Sequence, residues 1–267
     1  MQYGLAADRN GKNSHTSKNT RGDRLDIRDL QHIAGIRATF FLACPQEAPV
    51  SNTPAEQIVW IDCEMTGLDA DLDGLCEIAL IITDFDLKPL DAQGFEIIIN
   101  PGEAAMEHMN DFVRGMHEKS GLLPKIAAGA TVAEAEEQVL AYVNSLVTKG
   151  RRPLVAGNTI GMDRRFIAKY MPTLEERLHY RSIDVSTIKE LSRRWYPNAY
   201  SLAPEKRGGH RALADIAESI QELAYFRDAA MLPLPGLERP AVKEVAAQTT
   251  DAYRGLIDDA IAGGKAE

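Results

Sequence analysis

The spacing of apolar and polar residues changes along the chain, and these changes delimit the predicted elements. Three apolar, β-branched runs follow one another at Ile58–Glu64, Cys76–Thr83 and Gly94–Asn100. They are separated by the polar connectors "TGLDADLDG" and "DFDLKPLDAQ", as expected for neighbouring antiparallel strands. We therefore predict an antiparallel three-stranded meander where the regular pattern begins.

A helical period of apolar residues begins after residue 130. The segment "TVAEAEEQVLAYVNSLV" opens with Thr131 and Glu134, which have the spacing of a capping box. Further helices are predicted at "MDRRFIAKYM", "TIKELSRRW" and "RALADIAESIQELAYFRD", separated by the short strands "PLVAGN" and "RSIDVS". Strands first, then alternating helices and strands, predict an α/β fold in which helices flank a mixed five-stranded sheet, with parallel strands beside the meander.

The two ends of the chain differ from its centre. Residues 1–55 are polar, rich in Asn, Ser and Gly, and without core periodicity, so we expect a disordered extension or an over-long start. The apolar stretch "IAGIRATFFLAC" begins more than thirty residues in and does not resemble a targeting segment. "LPLPGLERP" interrupts the pattern after residue 230, and residues 231–267 carry a weaker helical stripe. The chemistry is therefore expected within residues 56–230.

Composition restricts the class of partner. The 267 residues are 45% hydrophobic and 26% charged, which is typical of a soluble globular protein, and no apolar run approaches the length of a membrane span. The three cysteines lack metal-type spacing, and their odd number suits a reducing cytoplasm. A net charge of −9 leaves no overall basic track for a long nucleic acid or duplex. Any nucleic-acid substrate should be short or held by a few local cations.

Two carboxylates interrupt the end of the first apolar run, in "IVWIDCEMTGLD". On a strand, Asp62 and Glu64 point to the same face, roughly 6.5–7 Å apart along the strand, while Cys63 points to the other. Like charges at the end of a buried strand repel each other unless a positive group lies between them. The pair is either two solvated acids or half of a metal site that needs further carboxylates.

Two more acids and a histidine occur where a sheet could bring them together. Asp163 follows a predicted strand and begins a helix, and Asp215 lies in the first turns of the last long helix, five residues after His210. Taken alone, each Asp can be explained as a structural residue, because an Asp near a helix N-terminus commonly stabilises the helix. Together, four carboxylates and a histidine are the requirements of two-metal phosphodiester hydrolysis with Mg²⁺ or Mn²⁺. The histidine would accept the proton of the attacking water.

The segments "WIDCEMTGLD", "GNTIGMDRRFIAKYMP", "HYRSIDVSTIKELSRRW" and "GGHRALADIAESIQELAYFR" resemble the oligoribonuclease family of DEDDh-type 3′→5′ exoribonucleases. The resemblance covers about residues 57–227 and is specific, because several long motifs recur in the same order. It implies a ribonuclease H-like fold, a homodimer, and hydrolysis of very short single-stranded RNA, above all diribonucleotides, to nucleoside 5′-monophosphates.

The resemblance also implies a role for each acid. Asp62 would bridge two metal ions, Glu64 and Asp215 would complete the ion on the nucleophile side, and Asp163 would hold the other, partly through water. The general base falls on His210.

The substrate-binding positions of the family can be carried over in the same way. The wedge that separates the two bases falls on Leu68 and His117, and Phe112 stands where the family often has tryptophan. The cap on the substrate's 5′ phosphate falls on the following residues: Thr159, Arg181, Ser186, and Tyr180 of the other protomer. Thr159 replaces the more frequent serine but keeps the hydroxyl group.

Two alternatives share much of this sequence evidence. A related DEDDh enzyme that trims longer RNA or proofreads DNA would have the same acids, but also basic patches and no phosphate cap. A catalytically silent nucleotide-binding or regulatory protein would be expected to lack one of the acids. All of the acids are present in this chain.

Overall fold

The computed structural model describes residues 51–206 and 211–263. The strands are β1 Ser51–Met65, β2 Leu75–Thr83, β3 Phe95–Ile98, β4 Arg151–Gly157 and β5 Ser182–Asp184. The helices are α1 Glu103–His108, α2 Asp111–Ser120, α3 Leu123–Ile126, α4 Val132–Leu146, α5 Gly161–Tyr170, α6 Pro172–Arg177, α7 Val185–Trp195, α8 Pro197–Ser201, α9 Ala212–Ala230 and α10 Arg239–Gly263. The first fifty residues of the predicted N-terminal extension lie outside the described residues.

The five strands form one mixed sheet in the order β3-β2-β1-β4-β5. β1 pairs with β2 and β2 with β3 in antiparallel fashion, whereas β4 runs parallel to β1 and β5 parallel to β4. The predicted α/β fold with a meander and added parallel strands is confirmed. β1 is therefore central, and the residues at its carboxyl end lie between strands on both sides.

Alternation along β1 separates two cores, one on each face of the sheet. Val59 and Ile61 belong to the larger core, which includes apolar residues of α4, α5 and α6. Ile58 and Trp60 belong to a second core on the opposite face, with Val185 of α7 and apolar residues of α9. Because side chains alternate, Asp62 and Glu64 continue the face of Trp60. They therefore point toward the side of the sheet that α9 covers.

The predicted capping box starts α4, since the side chain of Thr131 accepts a hydrogen bond from the backbone of Glu134 and the Glu134 carboxylate accepts one from the backbone of Thr131. Ala135, Val139 and Val143 are buried on one face of this helix, as the periodicity predicts.

The structure differs from the sequence prediction at several places, and the short helices α6 and α8 are among the elements that were not predicted. Three short helices, α1 to α3, occupy Glu103–Ile126, where no element was predicted. They bury Met109, Leu122 and Ile126 around Cys76 of β2, so tertiary contacts rather than local periodicity define them. The predicted strand "RSIDVS" is only three residues long, because Asp184 caps α7 by accepting a hydrogen bond from Ser186 N.

The tail beyond residue 230 contains α10, in the region where the sequence predicts a weak helical stripe. The apolar residues of that stripe, among them Val242, Val245 and Leu256, are exposed. Among the residues that the structure describes, no helix has both the length and the apolar character needed to cross a membrane.

Candidate active site

Three carboxylates converge beyond the carboxyl end of β1. Asp62 and Glu64 point toward α9, and the first turn of this helix carries Asp215. One carboxylate oxygen from each of these three residues lies within 4.8 Å of the others, a spacing that could hold a metal ion. Strand alternation supplies two of the ligands, and the packing of α9 against β1 and β2 supplies the third.

Asp163 reaches the same strand end from the other side. It lies in the first turn of α5 and is buried, and its Oδ1 accepts a hydrogen bond from the backbone N–H of Cys63 at 2.9 Å. Cys63 is the residue between Asp62 and Glu64, so this bond fixes the fourth carboxylate beside the pair. The structure thus brings together all four acids that the sequence indicated.

The acids are strongly coupled to each other. Burial, followed by the charges of Asp163, Glu64 and Asp215, raises the pKa of Asp62 to about 8. Burial and the charges of Glu77, Asp215 and Asp163 likewise raise the pKa of Glu64 to about 8. Both shifts have the same cause, because burial and neighbouring carboxylates disfavour the charged form of each acid.

The hydrogen bond from the Cys63 backbone limits how far the pKa of Asp163 rises. Burial raises the pKa of Asp163 to about 7, although the Cys63 N–H opposes the rise.

Glu77 is a fifth carboxylate that the sequence analysis missed. It lies directly opposite Glu64 in the antiparallel register of β1 and β2, so the two side chains share one face. It is fully buried, and its carboxylate oxygens have no hydrogen-bond partner among the described residues. Burial raises its pKa, against the positive charge of Arg211. Its position inside the apolar run "CEIALIIT" was the available signal, because a charged residue there is costly without a function.

His210 lies outside the described residues. It immediately precedes Arg211, the N-cap residue of α9, and is five residues before Asp215. Its predicted role as a general base stays a prediction.

Leu68 is presented on the loop that follows β1. Its side chain is 68% exposed. Asp73 organises the loop, because its carboxylate accepts hydrogen bonds from the Thr66 hydroxyl and the Asp69 backbone N–H and lies 2.8 Å from His108 Nδ1. An exposed leucine on a braced loop beside the acids is well placed to contact a base.

Two side chains of α5 also hold this loop through hydrogen bonds. Lys169 Nζ donates to the backbone oxygen of Ala70 at 2.6 Å, and the Tyr170 hydroxyl donates to the backbone oxygen of Asp73 at 2.6 Å. Asp163 belongs to this helix too, so α5 contacts both the strand end and the loop of Leu68.

The other two stacking candidates lie on α2 in different environments. Phe112 is 81% exposed, whereas His117 is fully buried. The Nε2 atom of His117 lies 2.8 Å from the backbone oxygen of Met65, and its Nδ1 lies 3.8 Å from the Glu64 carboxylate. His117 therefore contacts the strand end directly, and it could contact a base only if the neighbouring loop moved.

Two predicted cap residues meet between β4 and α7. Thr159 Oγ1 and Ser186 Oγ are 3.1 Å apart, and the backbone N–H of Thr159 donates to Ser186 Oγ and to Asp184 Oδ1. Thr159 has φ 55°, an unfavourable conformation for a β-branched residue, and such strain is often found at functional sites. Asp163 is the fourth residue after Thr159, and α5 begins between them at Gly161.

The remaining cap residues are on the surface. The Tyr180 side chain is 64% exposed, stacks on His179 with ring centroids 4.4 Å apart, and has the Arg181 guanidinium 5.3 Å from its ring centroid. Tyr180 and Arg181 are therefore accessible to a second molecule.

Comparisons with solved structures identify the fold. The chain resembles exonuclease I from Methylocaldum szegediense, with a TM-score of 0.50 and 22% identity over 65% of this chain. It also resembles Escherichia coli exonuclease I in complex with a dA16 oligonucleotide, with a TM-score of 0.52 and 14% identity over 66% of this chain. In both cases this chain spans 41% of the other protein. At these identities the likeness shows a shared fold.

A family model described as RNase_T exonuclease matches residues 59–223, the region that holds the four acids. Fold and site thus define the class, a 3′→5′ exonuclease, which is a phosphodiester hydrolase. Curated oligoribonucleases from Leifsonia xyli and Cutibacterium acnes are 57% and 52% identical to the chain. The matches cover 69% and 76% of this chain and 88% and 98% of those proteins. The chain belongs to the oligoribonuclease family, and is therefore a 3′→5′ exoribonuclease.

This exonuclease class depends on divalent metal ions, and the residues present fit such an ion. Asp62, Glu64 and Asp215 offer hard oxygen ligands within 4.8 Å of one another. A divalent cation bound there would offset the like-charge repulsion that, with burial, raises the pKa values of Asp62 and Glu64.

Asp62→Asn should stabilise the metal-free protein and abolish hydrolysis. At about pH 9, above the raised pKa of Asp62, the amide keeps the shape but removes one repelling charge, so the melting temperature should rise by a few degrees, at about 2–4 °C per kcal/mol. Activity should fall by about a thousandfold or more, since metal stabilisation is worth several kcal/mol. Calorimetry with EDTA or Mg²⁺ checks both, and Mg²⁺ should stabilise only the wild type. Glu137→Gln, on the exposed face of α4, is the matched control. Equal stabilisation of both variants by Mg²⁺ would contradict a site at Asp62.

Thr159→Ser should relieve part of the backbone strain and keep the hydroxyl group. Removing one branch at φ 55° should stabilise the fold by about 0.5–1 kcal/mol, with activity unchanged. Thr159→Gly relieves the strain as well but loses the hydroxyl, so the KM for a 5′-phosphorylated substrate should rise. Thermal melts and steady-state kinetics separate the two effects. If serine and glycine variants have the same KM, the hydroxyl does not contact the substrate.

Proposed function

We propose that this exoribonuclease acts on very short single-stranded oligoribonucleotides, above all diribonucleotides, and releases nucleoside 5′-monophosphates. The observation that carries the proposal is that Asp184 connects the acids at the end of β1 with the hydroxyl pair of Thr159 and Ser186. Its Oδ1 accepts a hydrogen bond from the Thr159 backbone N–H, and its charge helps to raise the pKa of Asp163. A phosphate bound at the hydroxyl pair would therefore lie near the one that is cleaved. The net charge of −9 agrees with a substrate that presents few phosphates.

Under this proposal, Asp62, Glu64, Asp163 and Asp215 hold two divalent ions, Mg²⁺ or Mn²⁺. When bound, the ions neutralise the acids and stabilise the charge that develops at the scissile phosphate. Asp62 would help to hold both ions, Glu64 and Asp215 would help to hold one, and Asp163 the other. The hydrogen bond from Cys63 to Asp163 supports this arrangement, because it orients that carboxylate before substrate arrives.

The remaining residues bind and orient the substrate. His210, next to the N-cap of α9, accepts the proton of the attacking water. Leu68 and Phe112, both exposed, stack against the bases, and His117 completes this region from beneath the loop. Thr159, Ser186 and Arg181 bind the 5′ phosphate. Arginine suits this role, since its guanidinium can donate two parallel hydrogen bonds to a phosphate.

We further propose a homodimer in which Tyr180 of each protomer closes the 5′-phosphate site of its partner. The exposed position of Tyr180, braced by His179 and Arg181, supports this proposal. A reducing cytoplasmic location is proposed as well, since Cys63 and Cys76 are buried free thiols.

A comparison of substrate lengths tests the proposed specificity. The kcat/KM for a 5′-phosphorylated diribonucleotide should exceed that for a ten-nucleotide RNA by about 10–100-fold, because hydrogen bonds to a charged group contribute about 1.5–3 kcal/mol. The measurement is a time course of monophosphate release with Mg²⁺, Mn²⁺ or EDTA, with activity lost in EDTA. Equal or faster turnover of the longer RNA would instead favour an enzyme that trims long substrates.

Combining an impaired variant with an inactive one tests whether Tyr180 acts on the partner's site. Tyr180→Ala should lower activity on the diribonucleotide, and Asp62→Asn should abolish it. In a randomly assembled two-fold dimer of both variants, about a quarter of the sites combine intact acids with an intact partner tyrosine, so activity should return to about a quarter of wild type. Co-expression followed by kinetics measures this recovery. No recovery in a verified heterodimer would show that Tyr180 acts within its own protomer.

A further inference from the structure

The guanidinium group of Arg164 joins three parts of the fold. Arg164 lies in α5, one residue after Asp163, and its side chain is only 16% exposed. Its Nε and Nη2 atoms donate to the carboxylate of Glu175 in α6, at 2.7–3.1 Å. Its Nη1 atom donates to the backbone oxygen of Tyr180 at 3.2 Å and to Ser182 Oγ at 3.0 Å. All three nitrogens of this side chain therefore donate hydrogen bonds to the protein.

The contacts of Arg164 require the geometry of an arginine. A guanidinium holds five N–H groups in a planar fork, so pairing one edge with a carboxylate leaves the other nitrogen pointing away from it. Glu175 thus sets the orientation of the group, and Nη1 is directed at the backbone that leads into β5. A lysine ammonium is a point charge on a flexible stem, and it cannot hold both sides at once.

The two groups that accept from Nη1 lie on either side of Arg181, in a segment that β4 holds as well. The backbone N–H of His179 donates to the backbone oxygen of Pro153 at 2.9 Å, and His179 Nδ1 accepts from the backbone N–H of Arg181 at 3.1 Å. Ser182 begins β5, which pairs with β4. The backbone of residues 179–182 is therefore fixed between β4 and α5.

The side chains that project from this segment are exposed, and two of them, Tyr180 and Arg181, are assigned above to the substrate's 5′ phosphate. Exposed side chains have few packing contacts, so their positions depend largely on the backbone that carries them. The Arg164 hydrogen bonds connect that backbone to α5, whose first turn holds Asp163. The residues assigned to the 5′ phosphate are thus tied to the helix of a catalytic acid.

We propose that Arg164 is a positioning residue of this exoribonuclease, which fixes the segment of Tyr180 and Arg181 so that both side chains reach a 5′ phosphate. The inference rests on the function proposed above, since these two residues are assigned to the phosphate there. Arg164 touches neither the substrate nor the metal ions in this scheme. In the proposed dimer, Arg181 acts on its own site and Tyr180 on the partner's, so each Arg164 supports both sites.

Two diribonucleotides that differ only at the 5′ end test this role. One carries a 5′ phosphate and the other a 5′ hydroxyl, so the ratio of their kcat/KM values measures what the phosphate contributes. Arg164→Lys keeps a positive charge beside Glu175 but loses the planar fork. The ratio should therefore fall by about tenfold, through a higher KM for the phosphorylated substrate. Hydrolysis of the 5′-hydroxyl substrate should match wild type, because that substrate lacks the group that the segment binds.

A second variant and a matched control complete the design. Glu175→Gln can still accept from Arg164 but loses the charge that orients the guanidinium, so the ratio should fall in the same direction and by less. Arg165→Lys is the control, because it is the same substitution at the next residue of α5, whose side chain is exposed. It should match wild type on both substrates. A thermal melt of each variant accompanies the kinetics.

A wild-type ratio in Arg164→Lys would overturn the inference, and if that variant does not fold, the same criterion applies to Glu175→Gln. Equal losses on both substrates would overturn it too, because they would mean that Arg164 acts on the neighbouring Asp163 or on the fold as a whole. The proposed function is tested separately, in the wild-type enzyme. If wild type cleaves both diribonucleotides equally well, or neither, the 5′-phosphate assignment fails before any variant is compared.

Discussion

Repulsion among buried carboxylates at the end of β1 is the constraint on which the rest of this structure depends. Asp62, Glu64 and Asp215 place oxygens within 4.8 Å of one another, and Glu77 adds a further buried acid on the same face. A fold does not gain stability from such an arrangement, because each charge is poorly hydrated and faces others of the same sign. The arrangement is therefore best understood as a site whose stability is completed by divalent cations, in agreement with the exonuclease class to which the chain belongs.

The sheet and the helices that flank it hold the repelling acids in fixed positions. β1 is central, so its end is held by β2 on one side and β4 on the other. The two faces of the sheet bring different helices to it: α5 delivers Asp163 to the backbone of Cys63, and α9 delivers Asp215 to the opposite face. Rigid elements on both faces allow the acids to keep their positions despite their repulsion, which a loop could not do.

In the proposed function, substrate selection depends on the residues around the acids rather than on the acids themselves. The fold is shared with exonuclease I proteins that are much longer than this chain. In the proposed function, the features that limit the substrate to a short RNA are the strained Thr159 turn, the Ser186 hydroxyl and the exposed Leu68 loop. Asn158 links Ser186 to α9, because its oxygen accepts from the Ser186 hydroxyl and its amide nitrogen donates to Glu222 of that helix.

The sequence by itself determined the antiparallel meander and the capped helix α4, because alternation and capping chemistry are local properties. It also indicated the four acids that the fold brings together. The sequence did not predict the three short helices α1 to α3, because they depend on contacts with β2 rather than on their own periodicity. Only the tertiary structure decided that Glu77 faces Glu64, that His117 is buried, and that Arg164 joins Glu175 to the backbone of Tyr180. Each of these facts depends on residues far apart in the chain, and no local pattern records which distant side chains will meet.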